Sequence, residues 1–530
     1  MFITYQRIFD ILNDIISKTY NITIEPPILE LAPNLDFGDL SSPVALKLSS
    51  KIKKSPLEIA SFLKSKLETE LNKDLSKIDI VKPGFINIFI SKECLISSLI
   101  ELIENQENFF KRNFNKKILL EFVSANPTGP LSIAHGRQAV VGDVIGNILK
   151  FYGNNVIKEY YINDEGEQIK LLISSVKERI KELKGEPFLM KDGYYLGEYI
   201  RDIAKDYLKS KSKNLKNFVI SYILRLIKKD LSNLGVKFDS WVSQKKIIEN
   251  KEVDKVIALL KEKNLIYEQD EAIWFASTKF GDDKDRVVRK KDLEYTYFAS
   301  DIGYHFNKFN RGFDEFINIW GPDHHGYINR IKSAIEALGY NKDSLRIVIV
   351  QLTTLKSKEK MSKRKGNIVL VSDLTKSIGK DPTRFYYLLM RNSSHLEFDI
   401  DLAKELSFNN PFYYIQYASA RIESIFRKAK VKDLDVSYCR LLNTEDEINY
   451  IRTLLGFSNY LDKAYYTLEP IFIIEFLKKI TNEFHKFYEK NKVLVDNKNT
   501  KFARLNLLKA TKIVLDCAFN ILGIKPFKKM

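Results

Sequence analysis

Apolar residues along the chain change their spacing several times. Near the start, Ile8, Ile11, Leu12, Ile15 and Ile16 recur at helical intervals, and a second helical stretch runs over 56–67. Residues 78–81 and 85–89 alternate apolar and polar, with Lys82-Pro83-Gly84 between them, so the spacing predicts two strands joined by a turn. Residues 118–123 form an apolar run of the kind a buried parallel strand needs, and 317–320 and 345–350 are later strand candidates. Beyond about 376 the period is almost entirely helical, with helices predicted over 412–429, 445–468 and 471–492. The expected architecture is α/β: a Rossmann-type parallel-sheet catalytic domain at 111–375, carrying a helical insertion at about 166–265. A small α/β domain at 1–110 precedes it. A connecting segment at 376–410 leads to an all-α helical bundle at 411–530.

Composition narrows the field. In 530 residues the formal net charge is +17 and the hydrophobic fraction 45%. That is enough apolar material for several cores, and the excess of Lys and Arg favours a polyanionic partner. Cys94, Cys439 and Cys517 are far apart and form no C-x-x-C. A zinc site and a disulfide framework are therefore not expected, and a cytoplasmic location is. Charges interrupt the apolar stretch at the N-terminus, so neither a signal peptide nor a membrane span is expected there.

Two short segments hold the densest chemistry. After the apolar run, Asn126-Pro127-Thr128-Gly129-Pro130 can continue neither a strand nor a helix, and from His135 the spacing turns helical. A strand end feeding a helix N-terminus offers free N–H groups to a phosphate, and His135 can donate to one. Gly136 is expected to let a nucleotide base approach the backbone. The second segment, 358–367, is a cationic loop centred on Lys360-Met361-Ser362-Lys363. Its ammonium groups can neutralise negative charge on a phosphate-bearing partner. His135, His305, His324 and His325, four of the six histidines, lie in the stretch bounded by these two segments.

Together the two segments resemble the paired ATP signatures, H-x-G-H and K-M-S-K, of class I aminoacyl-tRNA synthetases. Ser132 and Ala134 stand where that family has its first His and its Gly. The strings YYINDEGEQI (160–169), YTYFASDIGYH (295–305), WGPDHHGYINR (320–330) and NPFYYIQYASARIESI (410–425) resemble arginyl-tRNA synthetases of the bacterial type, as do FGDLSSPVALKL and KPGFINIFIS near the start. Asp381-Pro382-Thr383-Arg384 stands where the family has D-A-L-R.

The resemblance implies an arginine–tRNA ligase that uses ATP with Mg2+ and no zinc. Its partners would be arginine, ATP and arginine-accepting tRNA, with no membrane, and it would be a monomer. It implies that His135, Lys360 and Lys363 are catalytic, and that Ala125, Asn126, Pro127, Thr128, Gly129, Pro130, Leu131, Ser132, Ile133, Ala134, His135 and Gly136 form the first ATP signature. Gly321, Asp323, Met361 and Ser362 complete that site. Arginine would meet Ser124, Asn126, Glu121, Tyr297, Asp301 and His325. A guanidinium needs a planar carboxylate, and Tyr297 and Asp301 are four apart on one helix face. His324 competes with His325 for the inward position. The N-terminal domain would touch the elbow of the tRNA, and Tyr413, Tyr417, Arg421, His485, Tyr488 and the terminal Met530 its anticodon, with Tyr414 and Gln416 offered beside them. Activation would wait for bound tRNA. Rival readings are a cysteine or methionine enzyme of the same class, a catalytically weak tRNA-binding paralogue, and a small-molecule adenylylating enzyme.

Overall fold

The computed structural model describes residues 5–24, 28–356, 369–431 and 433–529. Lys360, Met361, Ser362, Lys363 and Met530, all singled out above, lie outside the described residues. The chain divides into two compact units. One spans 113–404, and the other joins 1–112 to 405–530.

The 113–404 unit is built on five parallel strands. Their order is Leu345–Ile349, Glu315–Trp320, Lys117–Glu121, Asn155–Ile162 and Ser240–Ser243. The order reverses beside the central strand Lys117–Glu121, the crevice position where open parallel sheets bind ligands at strand C-terminal ends. Ile118, Leu119 and Leu120 are buried, as the apolar run predicts. The helix Ile133–Phe151 follows this strand, and Tyr297–Phe309 precedes Glu315–Trp320.

Three sequence expectations change here. The helical insertion comprises Glu167–Lys184, Glu198–Lys209 and Leu215–Asn233, and the chain then returns to the sheet as the edge strand Ser240–Ser243. Ser-Trp-Val-Ser is too short and too polar to announce itself as a strand. The stretch 376–404 belongs to this same unit and is no separate connector. Thr353–Lys356 pairs in parallel with Leu396–Asp399, and Arg384, buried in helix Lys380–Tyr387, forms a 2.6 Å ion pair with Asp143. Long-range pairing of this kind leaves no trace in local spacing. The helix that carries His135 begins at Ile133, two residues earlier than the spacing indicates.

In the other unit, the antiparallel strands Leu75–Val81 and Phe85–Ile90 match the predicted hairpin, and helices Tyr5–Tyr20 and Pro56–Leu71 pack on them. The predicted 445–468 helix is two, Glu445–Leu455 and Phe457–Thr467, divided at Gly456. The long helix Lys498–Leu522 closes the bundle. Arg452 pairs with Asp39 at 2.6 Å and Asn459 Nδ2 donates to the Leu29 carbonyl, so the first hundred residues and the bundle are tied by buried and half-buried polar contacts.

Candidate active site

At the end of strand Lys117–Glu121 the backbone turns sharply. Val123 and Ser124 both have positive φ, +66° and +38°. For a β-branched residue this is a strained conformation, and such strain concentrates at functional sites. The turn aims Ser124 Oγ at Glu121 Oε1, 2.8 Å away, while Ser124 Oγ accepts the Tyr161 N–H at 3.1 Å. Glu121 is buried, and its other oxygen takes the Lys308 ammonium.

The loop beyond is held from several sides. Asn126 Nδ2 donates to Gln168 Oε1 and Asn126 Oδ1 accepts from Asn163 Nδ2, both at 2.8 Å. The Tyr199 hydroxyl donates to the Thr128 carbonyl at 2.8 Å. Ser132 is the N-cap of helix Ile133–Phe151. Its N–H donates to His135 Nδ1 at 3.3 Å and its Oγ lies 3.1 Å from the same atom. Accepting at Nδ1 puts the ring proton of a neutral imidazole on Nε2, ready to donate. Burial lowers the His135 pKa below its usual range and keeps the ring neutral.

The first signature meets the segment 369–371. Ile133 N–H donates to the Val369 carbonyl at 3.1 Å and Val371 N–H to the Leu131 carbonyl at 2.9 Å. The chain therefore re-enters the described residues, just after the cationic segment, in antiparallel contact with Ser132. On the other side Arg137, fully buried, donates to the carbonyls of Gln351, Ser394 and Arg391 at 2.8–3.0 Å. Arg137 went unremarked in the sequence, although a charged residue on an apolar helix face was the available signal. Gly136 corrects an expectation. A Cβ there would stand 2.5 Å from the Tyr387 hydroxyl and 2.7 Å from Val371. Its missing side chain makes room for protein packing rather than for a base.

Across the crevice, helix Tyr297–Phe309 presents Asp301. The Tyr327 hydroxyl donates to Asp301 Oδ2 at 2.6 Å, and no cationic side chain is hydrogen-bonded to this carboxyl among the described residues. Burial raises its pKa to about 7, against the opposing pull of the Tyr327 hydrogen bond. Tyr327 was missed by sequence reasoning. Tyr297 is exposed, and its hydroxyl accepts the Glu167 N–H at the start of the insertion helix, 3.1 Å away. Gly321 adopts extended backbone beside Gln138, and Asp323 is exposed next to it. Between the two histidines, His324 packs on Trp320 and Tyr327, with ring centroids 5.7 and 6.3 Å away. His324 and His325 are both exposed; the ring contacts with Trp320 and Tyr327 belong to His324. Asp282, Asp283, Asp323, His324, Tyr327 and Arg330 line a cavity of about 610 Å3 beside them.

In the 1–112/405–530 unit, helices Pro411–Ala429 and Ile471–Lys490 share an aromatic face. Tyr417 and His485 stack at 5.8 Å, and Arg421 lies over Tyr488 at 5.0 Å with Nη2 donating to its hydroxyl at 3.0 Å. Tyr413 and Tyr417 both neighbour Phe408, an exposed residue that sequence reasoning did not single out. Gln416 is not on this face. It is buried, donating to the Lys525 carbonyl at 2.9 Å and accepting the Phe527 N–H at 2.7 Å. Among the described residues no helix is long and apolar enough to cross a membrane.

Comparison with known proteins agrees with this arrangement segment by segment. The arginyl tRNA synthetase N-terminal domain matches residues 6–90, the catalytic domain of class I tRNA synthetases (R) matches 98–385, and the DALR anticodon binding domain matches 415–530. The arginine–tRNA ligase of Thermotoga petrophila is 38% identical, with 98% of each chain covered. That of Bacillus subtilis is also 38% identical, over 95% of this chain and 94% of the relative. The solved arginyl-tRNA synthetase of Thermus thermophilus matches all of both chains with a TM-score of 0.81; at 19% identity it bears on the fold alone. With a strained strand end beneath a capped His helix, a buried carboxyl opposite, and relatives matched along nearly its whole length, this chain belongs to the arginyl-tRNA synthetase family.

Proposed function

We propose that the crevice at the sheet's switch point holds arginine between Ser124 and Asp301, with the ATP phosphates over the first turn of helix Ile133–Phe151. The chain is an arginine–tRNA ligase. The arginine carboxylate attacks the α-phosphate of ATP, entering as its magnesium complex, and pyrophosphate leaves. A ribose hydroxyl of the terminal adenosine of tRNA then takes the arginyl group, and AMP leaves.

The observation that carries the site assignment is Asp301. It is a carboxyl whose ionisation burial disfavours and which lacks a cationic hydrogen-bond partner among the described residues. An arriving guanidinium supplies that partner, and Tyr327 fixes the plane of the acceptor. At the other end Ser124 and Glu121 stand where the α-amino group would be met. Both Glu121 oxygens already accept protein donors, so its part is electrostatic more than direct. His135 Nε2–H, with Nδ1 satisfied by Ser132, donates to a phosphate oxygen. Asp323, at the edge of the crevice, takes the ribose hydroxyls. Lys360 and Lys363 follow the sequence reading and neutralise pyrophosphate charge as it develops. No protein nucleophile is needed; positioning and charge stabilisation carry the reaction.

Tyr413, Tyr417, Arg421, His485 and Tyr488 offer faces on which splayed anticodon bases stack. A monomer working in the cytoplasm, with no zinc, completes the reading. Transfer of each labelled amino acid in turn to total tRNA tests it. Charging with arginine alone is expected. Charging with another amino acid, or with none, overturns it.

A further inference from the structure

Helix Tyr297–Phe309 places Asp301, His305 and Lys308 along one face. Beneath that face, Asn318 and Glu121 are register partners on adjacent parallel strands. His305, Lys308, Asn318 and Glu121 are all buried. An Asn between Ile317 and Ile319, in the interior of a central strand, is costly unless every polar atom finds a partner.

The partners form one continuous chain. His305 Nδ1 lies 2.8 Å from the Asp301 backbone carbonyl. A carbonyl can only accept, so the ring proton sits on Nδ1. Nε2 then carries a lone pair, and at 3.0 Å it must accept from the Asn318 amide. That orientation leaves Asn318 Oδ1 facing Lys308 Nζ at 2.9 Å. Lys308 also donates to Glu121, whose other oxygen takes Ser124 Oγ. Each link fixes the donor direction of the next, so flipping Asn318 or protonating His305 would set two donors face to face at one end. Burial, together with the Lys308 charge, lowers the His305 pKa to about 3, in keeping with a ring that stays neutral.

We infer that Asn318 is a positioning residue for arginine recognition: its carboxamide, clamped between Lys308 and His305, couples the Glu121–Ser124 end of the substrate site to the Asp301 end. The helix cannot slide or roll over the sheet without breaking this clamp, so the spacing between the two ends is fixed before arginine arrives. A rigid spacing suits the length of one amino acid and disfavours shorter cations. The inference rests on the assignment of Asp301 and Ser124 to arginine given above.

Steady-state kinetics of Asn318→Leu and Asp301→Asn, measured side by side, separate the two ideas. For Asn318→Leu the KM for arginine is expected to rise at least about tenfold, with the KM for ATP within about twofold and kcat falling less than the KM rises. Equal loss toward both substrates, or an unchanged KM for arginine, overturns the positioning role. If Asp301→Asn leaves the KM for arginine unchanged, the site assignment fails first and the inference falls with it. A second measurement does not depend on a substituted clamp folding. In wild-type protein labelled with 15N-histidine, with His305→Gln used to assign the signal, the His305 ring should be neutral and Nδ1-protonated from pH 5 to 8, and should shift when arginine is added. A ring that titrates in that range, or that ignores saturating arginine, overturns the inference.

Discussion

Among the described residues of the 113–404 unit, two of the buried ionic networks stand in contrast. In one, Asp143 lies between Lys158 and Arg384, both at 2.6 Å, and Lys158 also donates to Asn147 Oδ1 at 3.0 Å. Its three charged members are all buried, and the carboxylate meets two cations. The Asp143 pKa is lowered: burial pushes it upward, but the two cations outweigh burial. The Lys158 pKa is lowered by burial, against the pull of Asp143. This network is closed, and joins helix Ile133–Phe151 to helix Lys380–Tyr387. The other runs from Glu121 through Lys308, Asn318 and His305 to Asp301. There Lys308 is matched by Glu121, and the chain of hydrogen bonds ends on the Asp301 backbone carbonyl; the Asp301 carboxyl beside it accepts from Tyr327, feels Lys308 and Arg330 through space, and has no cationic hydrogen-bond partner among the described residues. A buried network that balances its charge holds elements together. One that ends beside a carboxyl with no cationic hydrogen-bond partner among the described residues leaves an acceptor open to a charged ligand.

That difference makes predictions about stability and about binding, and the largest separates the two most sharply. Arg384→Ala leaves Asp143 short of a cation in a buried site, and should cost about 3–5 kcal/mol of stability. Urea denaturation should report it, with the arginine KM of the folded fraction unchanged. A small effect would mean that water reaches Asp143 and the network is not closed.

Asp301→Asn should do the reverse. In the proposed arginine site it removes a charge-assisted contact to the guanidinium, costing about 2–4 kcal/mol in arginine recognition. The KM for ATP should hardly move, and stability should hold or rise. The sign follows from the raised pKa. A carboxyl whose folded pKa exceeds its unfolded value of 3.8 loses stability as pH climbs from there to about 7, and the Asn variant escapes that loss. Loss of stability in this variant would place Asp301 among the holding groups.

Lys158→Met sharpens the comparison from within the closed network. Asp143 keeps Arg384, and an ammonium that burial already disfavours is removed, so about 1–3 kcal/mol is expected, less than for Arg384→Ala. Denaturation of the two variants under the same conditions checks the order.

The smallest effect is the pH dependence of arginine use. Binding needs Asp301 ionised, so the KM for arginine should fall as pH rises through about 7, by about tenfold between pH 6 and pH 8. Asp301→Asn should flatten that profile. A wild-type profile already flat across this range would mean that Asp301 is fully ionised before arginine arrives.

How much of this was legible beforehand depends on where each partner sits. The strand at 118–123, the loop at 126–130 and the helix after it follow from residues adjacent in sequence, because a turn and an N-cap are local events. Ser132 and His135 are three apart, so their contact belongs to the same helix start. Asp301 could be proposed because the string around it resembles the family; four-residue spacing from Tyr297 alone reads as an ordinary helix-face pair. Its Tyr327 partner lies 26 residues away, and Lys308 reaches Glu121 across 187. Nothing in the period of a helix or a strand specifies such a pair.

By itself, the sequence determined the class of sheet, the two signature segments and the chemistry of the substrate, since these rest on short strings whose geometry is set within a turn or two. Only the tertiary structure decided that Gly136 serves packing, that Gln416 pins Lys525 and Phe527, that the His324 ring meets Tyr327, and that Asn318 stands between Lys308 and His305. A polar residue in an apolar pattern announces that it needs a partner. Which partner it finds depends on strand order and helix register, and those are fixed by the packing of the whole unit.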